Sequence, residues 1–444
     1  MDKQPPALTP EEKRQQRFDR WLNPPHVKFH SAAAEKAYKE RVTRFIKVIR
    51  LEEPDRVPVM LPAGSFPLYN AGMTLKDAMY DNRRATEAYR RFFQEYESDT
   101  FSGGMTPSGR SLEIAQGLTM KWPGHGLPDD AWMQQFVEGE YMKADEYDYF
   151  ISDLSDFCFR RYLPRTIGAL APLAKFQPLS HLLGFSTNFL APAALPEVRD
   201  MYQAIIDYGK ETADWSRPAM EFSREALAAG YPALAGGMSH APFDILGDTL
   251  RGTKGIVMDM YRQPEKVLAA MEKLVPVLID TGVAAADASG GVMVMFPLHK
   301  GDDTFMSDEQ YRTFYWPAFR KVILGIIEAG LVPYLFAEGK YTNRLSIIRD
   351  LPPGKVVWLF DQTDMFQAKE ILGGRACIAG NVPASLLMTS TAAAVKEYCR
   401  KLIEVCGKGG GFILTGGASI DKGKGENLKA MWQAGQEYGV YKKM

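Results

Sequence analysis

Titratable side chains stand where several short apolar runs of the sequence end. The clearest case is Glu338, which follows the run LVPYLFA and precedes Gly339. The residues that share this placement are His240, His299, Glu338, Asp361 and Asp364. Carboxylates and imidazoles transfer protons near neutral pH or ligate metal ions. We therefore predict Glu338, Asp361 and His240 as catalytic residues, with Glu338 also as a metal-ligand candidate.

A second group of residues is predicted to bind the substrate: His299, Asn381, Asp364 and Phe336. Neighbouring carboxylates such as those in FDQTD orient a substrate hydroxyl or share a proton. Phe336 lies two residues before Glu338. For both histidines, His240 and His299, the alternative is a loop imidazole that is hydrogen-bonded to the backbone.

Three of the predicted residues have a specific structural alternative. Glu338 can form a solvated loop ion pair with Lys340 or Arg344. Asp364, with Gln367 three residues later, matches a helix N-cap. Asn381 lies in GNVP and can shape a turn, because asparagine tolerates unusual backbone dihedrals. The sequence leaves both interpretations of these residues open.

The elements that position these side chains alternate along the second half of the chain. Six apolar runs, each followed by a helical pattern, are predicted to contain strands: 233–243, 291–302, 331–340, 355–364, 376–387 and 410–419. The first half adds two candidates, 57–61 and 99–103. Alternating strands and helices indicate a parallel sheet, and about eight strands indicate an α/β fold of the TIM (β/α)8 barrel type. In that fold the active site lies at the carboxyl ends of the strands.

Two segments lie outside this alternation. Residues 1–40 are predicted to form an N-terminal helical arm, and 41–444 the barrel domain. Residues 138–195 are predicted to form a helical insertion in that domain, which either covers the pocket or forms the face of a homodimer. The arm and the insertion account for the length beyond the roughly 250 residues of a simple barrel.

The bulk composition argues against several classes of partner. The 444 residues include 53 basic and 54 acidic side chains, so no basic face for a nucleic acid is indicated. No run approaches the ~18 apolar residues of a membrane span, and no apolar signal segment is visible. The four cysteines include no CxxC pair and are typical of reduced thiols. We predict a cytoplasmic protein without nucleic-acid or membrane partners.

The order of five short pieces resembles the uroporphyrinogen decarboxylase superfamily, which includes zinc-dependent methyltransferases that act with corrinoid proteins. The pieces are PDRVPV (54–59), ALAGGMSHAPFDIL (233–246), FDQTD (360–364), GNVP (380–383) and GGFILTGG (410–417). The resemblance implies a TIM barrel with a pocket at its carboxyl end for a tetrapyrrole or a methyl-transfer partner.

Two departures from the superfamily separate its activities. The loop LPAGSFPL (61–68) lacks the arginines that hold the carboxylates of uroporphyrinogen, and buried carboxylates need paired cations. The His-x-Cys-Gly motif of the zinc methyltransferases falls on residues 336–339, so Glu338 replaces the metal-binding cysteine. Their late cysteine falls near Ala418. Zinc at Glu338 stays an alternative, because a carboxylate can ligate zinc.

The resemblance therefore implies a methyltransferase of the O-demethylase type. It moves a methyl group from a small methoxylated or methylated substrate to a corrinoid on a separate protein, since no corrinoid-binding domain is recognisable in this chain. Two alternatives stay open. One is a decarboxylase of uroporphyrinogen or a related acid, and the other is a non-catalytic barrel that binds a tetrapyrrole or corrinoid.

Overall fold

The computed structural model describes residues 8–442 except 102, 105 and 185–187. Parts of three predicted segments therefore lie outside the described residues. They are residues 1–7 of the arm, 102 at the end of a predicted strand, and 185–187 of the insertion. Residues 443–444 lie outside as well.

Nine strands form two sheets in the described residues. A small sheet has the order β2-β1-β3 and consists of β1 (Met120–Pro123), β2 (Gly126–Leu127) and β3 (Gln135–Phe136). The central sheet has six parallel strands in chain order: β4 (Ala235–Met238), β5 (Met293–Leu298), β6 (Val332–Ala337), β7 (Val357–Phe360), β8 (Cys377–Val382) and β9 (Phe412–Gly416). Strands β7, β8 and β9 are buried throughout, as expected for parallel strands covered on both faces.

Helices precede, connect and cover the strands. Those before β4 are α1 (Pro10–Leu22), α2 (Ala32–Ile49), α3 (Phe66–Asn70), α4 (Leu75–Tyr80), α5 (Asn82–Glu95), α6 (Gly109–Ala115), α7 (Tyr147–Ser152), α8 (Leu154–Phe157), α9 (Leu163–Thr166) and α10 (Pro196–Ala228). Those after β4 are α11 (Pro242–Asp244), α12 (Gly252–Arg262), α13 (Pro264–Ser289), α14 (Asp308–Gln310), α15 (Trp316–Glu328), α16 (Leu345–Ile348), α17 (Met365–Leu372), α18 (Ala384–Thr389), α19 (Ala392–Cys406) and α20 (Gly425–Tyr438). Within the described ranges, no helix combines the length and apolar character needed to cross a membrane.

Six further helical segments are of other types. Three are 3-10 segments: Gly168–Lys175, Leu179–Gly184 and Asn188–Ala194. Three are π-helical: Cys158–Tyr162, Ile245–Leu250 and Tyr311–Tyr315. The segment Ile245–Leu250 continues directly from α11 and is important for the site, because π turns shift the register of side chains along a helix.

The two edges of the central sheet are connected through two extended segments, 57–61 and 98–101. Leu414 N in β9 donates to Pro58 O, and Met60 N donates to Leu414 O, both at 2.9 Å. The segment 98–101 bonds to 57–61 on one side at 2.9 Å. On the other side it bonds to the chain just before β4 at 3.1 Å. Single bonds of this kind are not strand ladders.

The predicted closed ring of eight strands is therefore not seen among the described residues. The chain is an α/β protein with a six-stranded parallel sheet and many helices. The reason lies in the sequence RVPVMLP: Pro58 and Pro62 lack the amide hydrogen that a ladder requires. Pairing at 57–61 is thus limited to isolated bridges.

The amino ends of the strands are covered by α1 and α2. Phe18 and Trp21 of α1 and Phe45 of α2 are buried in one cluster with residues that begin the strands, such as Val332 and Val357. This arrangement explains the apolar face of α2 in an otherwise polar amino-terminal region. Helix α2 runs through residue 40, where the end of the arm is predicted. That boundary stays a prediction.

A fully paired charge cluster lies beside the segment 57–61. The Asp99 carboxylate is completely buried and accepts hydrogen bonds from Arg44 Nη1 at 2.8 Å and from Arg56 Nη1 and Nη2 at 2.6 and 2.7 Å. Val59 N donates a further bond of 2.8 Å to Asp99. We call Asp99, Arg44 and Arg56 the closure cluster.

Candidate active site

The pairing register of three central strands aligns three of the predicted residues. Phe336 in β6 pairs with Pro297 in β5 and with Leu359 in β7. Two residues further along the same three strands stand His299, Glu338 and Asp361. Side chains two residues apart on a strand point to the same face. The register therefore brings these three residues into one row at the carboxyl edge of the sheet.

His299 is held by a carboxylate from the π-helical segment that follows β4. Its Nδ1 lies 2.7 Å from Asp248 Oδ2, and its Nε2 lies 3.9 Å from Glu338 Oε1. Asp248 Oδ1 also pairs with Lys300 Nζ at 3.0 Å. We call Asp248, His299, Lys300 and Glu338 the rim cluster.

A second carboxylate of the same helical segment fixes the backbone of the rim cluster. Asp244 is 1% exposed and accepts hydrogen bonds from His299 N and Lys300 N, each at 3.1 Å, and from Tyr315 OH at 2.8 Å. Asp244 therefore binds the backbone of the His299–Lys300 dipeptide, while Asp248 binds its two side chains. Burial, and then the charge of Asp248, raises the pKa of Asp244 to about 7.

The surroundings of His299 favour its protonated form. The hydrogen bond to Asp248 raises the pKa of His299 to about 9, because this bond and the nearby carboxylates outweigh the opposing effect of burial. For Asp248, burial alone would raise the pKa. The hydrogen bond from His299 and the charge of Lys300 outweigh it, and the pKa is lowered. At neutral pH the pair is thus an imidazolium next to a carboxylate.

Glu338 stands at the end of β6 with its side chain partly exposed. Burial raises the pKa of Glu338; the charge of His299 opposes this rise and that of Asp361 adds to it. The next residue, Gly339, has φ of +81°, and a Cβ there would lie 2.8 Å from Asp302 Oδ2. The glycine after Glu338 is therefore required by the turn and by its close neighbour.

His240 lies in the loop after β4 and lines the same cavity as His299. Burial lowers the pKa of His240, and the charge of His299 lowers it further. His240 is thus neutral at pH 7 and suited to accept a proton, whereas its neighbour is suited to donate one. His240 and His299 therefore share one cavity, and Glu338 lies next to His299, whereas Asp361 borders a different cavity together with Asp364 and Asn381.

Two of the residues predicted to bind substrate have structural partners. Asn381 Nδ2 donates to Asp361 O at 2.9 Å and to Thr363 O at 2.8 Å, so Asn381 holds the loop after β7. Asp364 is the N-cap of α17: its carboxylate accepts from the amides of the second and third helical residues. The N-cap role of Asp364 matches its structural alternative. Asn381 lies within β8 and holds a neighbouring loop rather than shaping the turn after its own strand. Whether either one also contacts a substrate stays a prediction.

Two cavities open at the carboxyl ends of the strands. The first, of about 480 Å³, lies between Asp248, His299 and Lys300 of the rim cluster and residues of the segment 119–162, including the aromatic side chains of Phe136, Tyr141 and Tyr162. The second, of about 430 Å³, is lined by inward residues of the sheet, Phe336 among them, and no charged side chain lines it. Asp364 and Asn381 line neither of these cavities. They line a third cavity, of about 450 Å³, beside β8.

The sequence interpretation missed the two aspartates that organise the site. His240, Asp244 and Asp248 are spaced four residues apart in SHAPFDILGD, which is the signal of one helical face. That spacing is visible in the sequence, but the strand-end rule selects only His240 from the run 233–243 and not the helical turns that follow it. Lys300 was visible next to His299, but without Asp248 it had no assigned partner.

The donor atoms at the rim do not fit zinc. No group of three His, Cys, Asp or Glu residues in the described part of the chain is arranged to hold a metal ion. The nearest imidazole to Glu338 is His299, whose Nδ1 is already bound to Asp248. Three of the four cysteines, Cys377, Cys399 and Cys406, are buried, and Cys158 is partly buried. No catalytic step is therefore assigned to a metal bound by this chain.

The fold and the rim cluster define an α/β protein whose candidate active site lies at the carboxyl ends of parallel strands. Residues 194–438 match the family described as Uroporphyrinogen decarboxylase (URO-D). The match spans more than half of the chain, and the chain belongs to this family. Members of the family are enzymes.

A solved structure supports the same fold. The chain is similar to a methyltransferase from Methanosarcina mazei, with a TM-score of 0.57 and 15% sequence identity over 89% of this chain and 98% of that chain. At this identity the likeness shows the fold alone. No curated protein matches the chain.

Proposed function

We propose that the chain is a corrinoid-dependent methyltransferase built on a TIM barrel whose first two strands are reduced to the segments 57–61 and 98–101. It moves a methyl group from a small methoxylated or methylated compound to a corrinoid carried by a separate protein. The observation that carries this proposal is the His299–Asp248 pair, a protonated imidazole that borders the first cavity with Nε2 near Glu338.

The chemistry of ether demethylation requires an acid. When the bond between the methyl carbon and oxygen breaks, the leaving oxygen keeps the electron pair and takes up a proton. His299 donates this proton from Nε2, while Asp248 accepts the hydrogen bond from Nδ1 and stabilises the imidazolium beforehand. The methyl acceptor, when bound, supplies the electron pair for the new bond. The oxygen leaves as a hydroxyl group.

Other residues at this edge of the sheet hold and orient the substrate and His299. Glu338 accepts a hydrogen bond from substrate in its ionised form and favours the protonated state of His299. Asp361 is fixed by the amide of Gly339 at 3.2 Å and forms the far end of the row. Aromatic side chains on the opposite wall of the first cavity supply apolar contact for a small organic substrate.

The lining of both cavities disfavours a polycarboxylate substrate. No arginine lines either cavity. The two cations of the first cavity, His299 and Lys300, are both paired with Asp248. Several substrate carboxylates would therefore be desolvated without partners, which is strongly unfavourable. This is the physical argument against decarboxylation of uroporphyrinogen.

The test uses purified protein, free cob(I)alamin and a panel of methoxylated and N-methylated small compounds. We expect methylcobalamin to form with at least one compound, as detected by its absorption spectrum, and His299→Gln to reduce the rate strongly. His125→Gln is the matched control, because His125 also pairs with a carboxylate, Glu113 at 2.9 Å, but lines neither of the two cavities. Coproporphyrinogen formed from uroporphyrinogen, or demethylation without any corrinoid, would contradict the proposal.

A further inference from the structure

Lys300 is a buried cation whose place is fixed on several sides. It is 9% exposed, and its Nζ lies 3.0 Å from Asp248 Oδ1 and 2.8 Å from Thr253 Oγ1. Its aliphatic stem packs on Gly247, where an added Cβ would lie 2.6 Å from the Lys300 side chain. The ammonium also lies 5.3 Å from the ring centre of Phe305. The side chain is therefore held in one conformation, with its charge between a carboxylate and a hydroxyl.

The segment 137–141, which lines the opposite wall of the cavity, also contacts Thr253. Thr253, in the first turn of α12, donates its backbone N–H to the carboxylate of Glu138. Glu138 belongs to the segment between β3 and α7, which also contributes Val137 and Tyr141 to the wall of the first cavity. Polar contacts therefore run without interruption from this segment to the imidazole, in the order Glu138, Thr253, Lys300, Asp248 and His299.

We propose that Lys300 is a positioning residue that holds Asp248 in the orientation in which its Oδ2 faces His299 Nδ1, and that seating of the segment 137–141 over the cavity supports this orientation through Glu138 and Thr253. Asp248 contacts His299 and Lys300 through different oxygens. A carboxylate held at both oxygens keeps one plane, whereas a carboxylate held at one rotates. Only a consequence for the rate of methyl transfer would rest on the proposed function. The orientation of Asp248 does not depend on it.

A simple charge effect predicts the opposite result. Removing a cation near His299, without any change in geometry, makes protonation easier and raises the pKa of His299. If Lys300 positions Asp248 instead, its removal weakens the hydrogen bond at Nδ1 and lowers that pKa. The titratable and charged groups that face His299 from the surrounding elements are Asp244, Asp248, Lys300, His240 and Glu338.

The test is a histidine titration by NMR in the full chain. The chain has six histidines, so ¹³C-labelled histidine gives few signals, and His299→Gln assigns the relevant one. We expect Lys300→Met to lower the pKa of His299 by about one unit. Thr253→Val and Glu138→Gln are expected to lower it by less. Lys321→Met is the matched control, since Lys321 pairs with Glu272 at 2.7 Å on the surface, and it leaves the His299 signal unchanged.

The outcomes separate the alternatives without any substrate. A rise or no change in Lys300→Met overturns the positioning role, and no change in both Thr253→Val and Glu138→Gln overturns the link to the segment 137–141. Unchanged signals of His26, His30, His125 and His181, none of which lines this cavity, show that a variant is folded. If Lys300→Met does not fold, Thr253→Val carries the test alone. A lack of methyl transfer in every assay contradicts the proposed function but leaves this titration result valid.

Discussion

The closure cluster and the rim cluster contain similar groups but treat them differently. In the closure cluster, Asp99 is fully buried and bonded to Arg44, Arg56 and a backbone amide. In the rim cluster, the side chains of His299 and Glu338 are 40% and 44% exposed, and 3.9 Å separates His299 Nε2 from Glu338 Oε1. The Asp99 carboxylate has all its hydrogen-bond partners within the protein, whereas the Glu338 carboxylate can still accept a hydrogen bond from a ligand.

This difference identifies which charges stabilise the fold and which are available for chemistry. The two arginines of the closure cluster keep a fixed charge, because arginine does not lose its proton under ordinary conditions. In the rim cluster the bond to Asp248 raises the pKa of His299 to about 9, and burial raises the pKa of Glu338, so both groups are suited to proton transfer. Substitutions in the closure cluster should therefore affect stability, and those in the rim cluster should affect activity. The predictions below test this division.

The largest effect is expected for His299→Gln. Loss of the proton donor should reduce kcat for methyl transfer by about 10²–10⁴-fold, the usual contribution of a general acid. Above about pH 9, where the imidazole is neutral, the unfolding midpoint should change little, because the side chain is 40% exposed. His125→Gln should retain normal activity. Normal activity in His299→Gln would remove the rim cluster from the mechanism.

The next largest effect is expected in the closure cluster. Asp99→Asn leaves Arg56 without its carboxylate and removes from Arg44 the buried one of its two carboxylates, which should lower the free energy of unfolding by about 3–5 kcal/mol. Urea denaturation measures this change. Asp55→Asn is the control, since Asp55 pairs with Arg44 but its side chain is 60% exposed, and a loss below about 1 kcal/mol is expected. Activity per folded molecule should stay unchanged in both variants.

The pH dependence of activity should follow His299. Its pKa is raised from 6.5 to about 9, so the donor is present at pH 7 and is lost as the pH rises through about 9. We expect kcat to fall about tenfold per pH unit above that point. In Glu338→Gln the midpoint should move to lower pH, because a carboxylate that favours the imidazolium is removed. An alkaline limb that does not move in this variant would separate Glu338 from His299.

The contribution of His299 to the free energy of unfolding should also fall as the pH rises. A histidine whose pKa is raised on folding stabilises the protein fully below its unfolded pKa of 6.5, and this stabilisation is lost between pH 6.5 and about 9. Unfolding midpoints of the wild type and His299→Gln, compared across this range, should converge as the pH rises. A difference that grows with pH would contradict the assignment.

The smallest effect is expected for Asp364→Ala. The loss of an N-cap should lower the free energy of unfolding by about 1 kcal/mol. Activity should be nearly normal if capping is the whole role of Asp364. A large loss of kcat at unchanged stability would instead support the predicted contact with substrate.

The strand-end residues could be predicted because parallel strands all end at the same edge of a sheet, which places His299, Glu338 and Asp361 near that edge. The pairing of β5, β6 and β7, which the sequence does not show, aligns the three residues in one row. Asp244 and Asp248 lie on the helical turns after β4, so a rule based on strand ends does not select them, although their four-residue spacing is visible in the sequence.

The pairing at the open edge of the sheet could not be predicted from the sequence for a different reason. The apolar content of 57–61 predicts a strand, but Pro58 and Pro62 reduce its pairing with β9 to one isolated bridge, Val59 with Leu414. These two residues lie more than 300 residues apart in sequence. Contacts over such separations depend on the packing of the whole domain, which local patterns do not describe.

The covering of the strand beginnings by α1 and α2 has a practical consequence for fragments. Arg14 Nη2 donates to Gly354 O, and Arg17 Nε donates to Ala329 O, both at 3.1 Å, so α1 is attached to turns at the amino ends of the strands. The region recognised by the family model begins at residue 194. A protein shortened to that region would expose Val332 and Val357 to water and should precipitate. In the full chain both side chains are buried under α1 and α2.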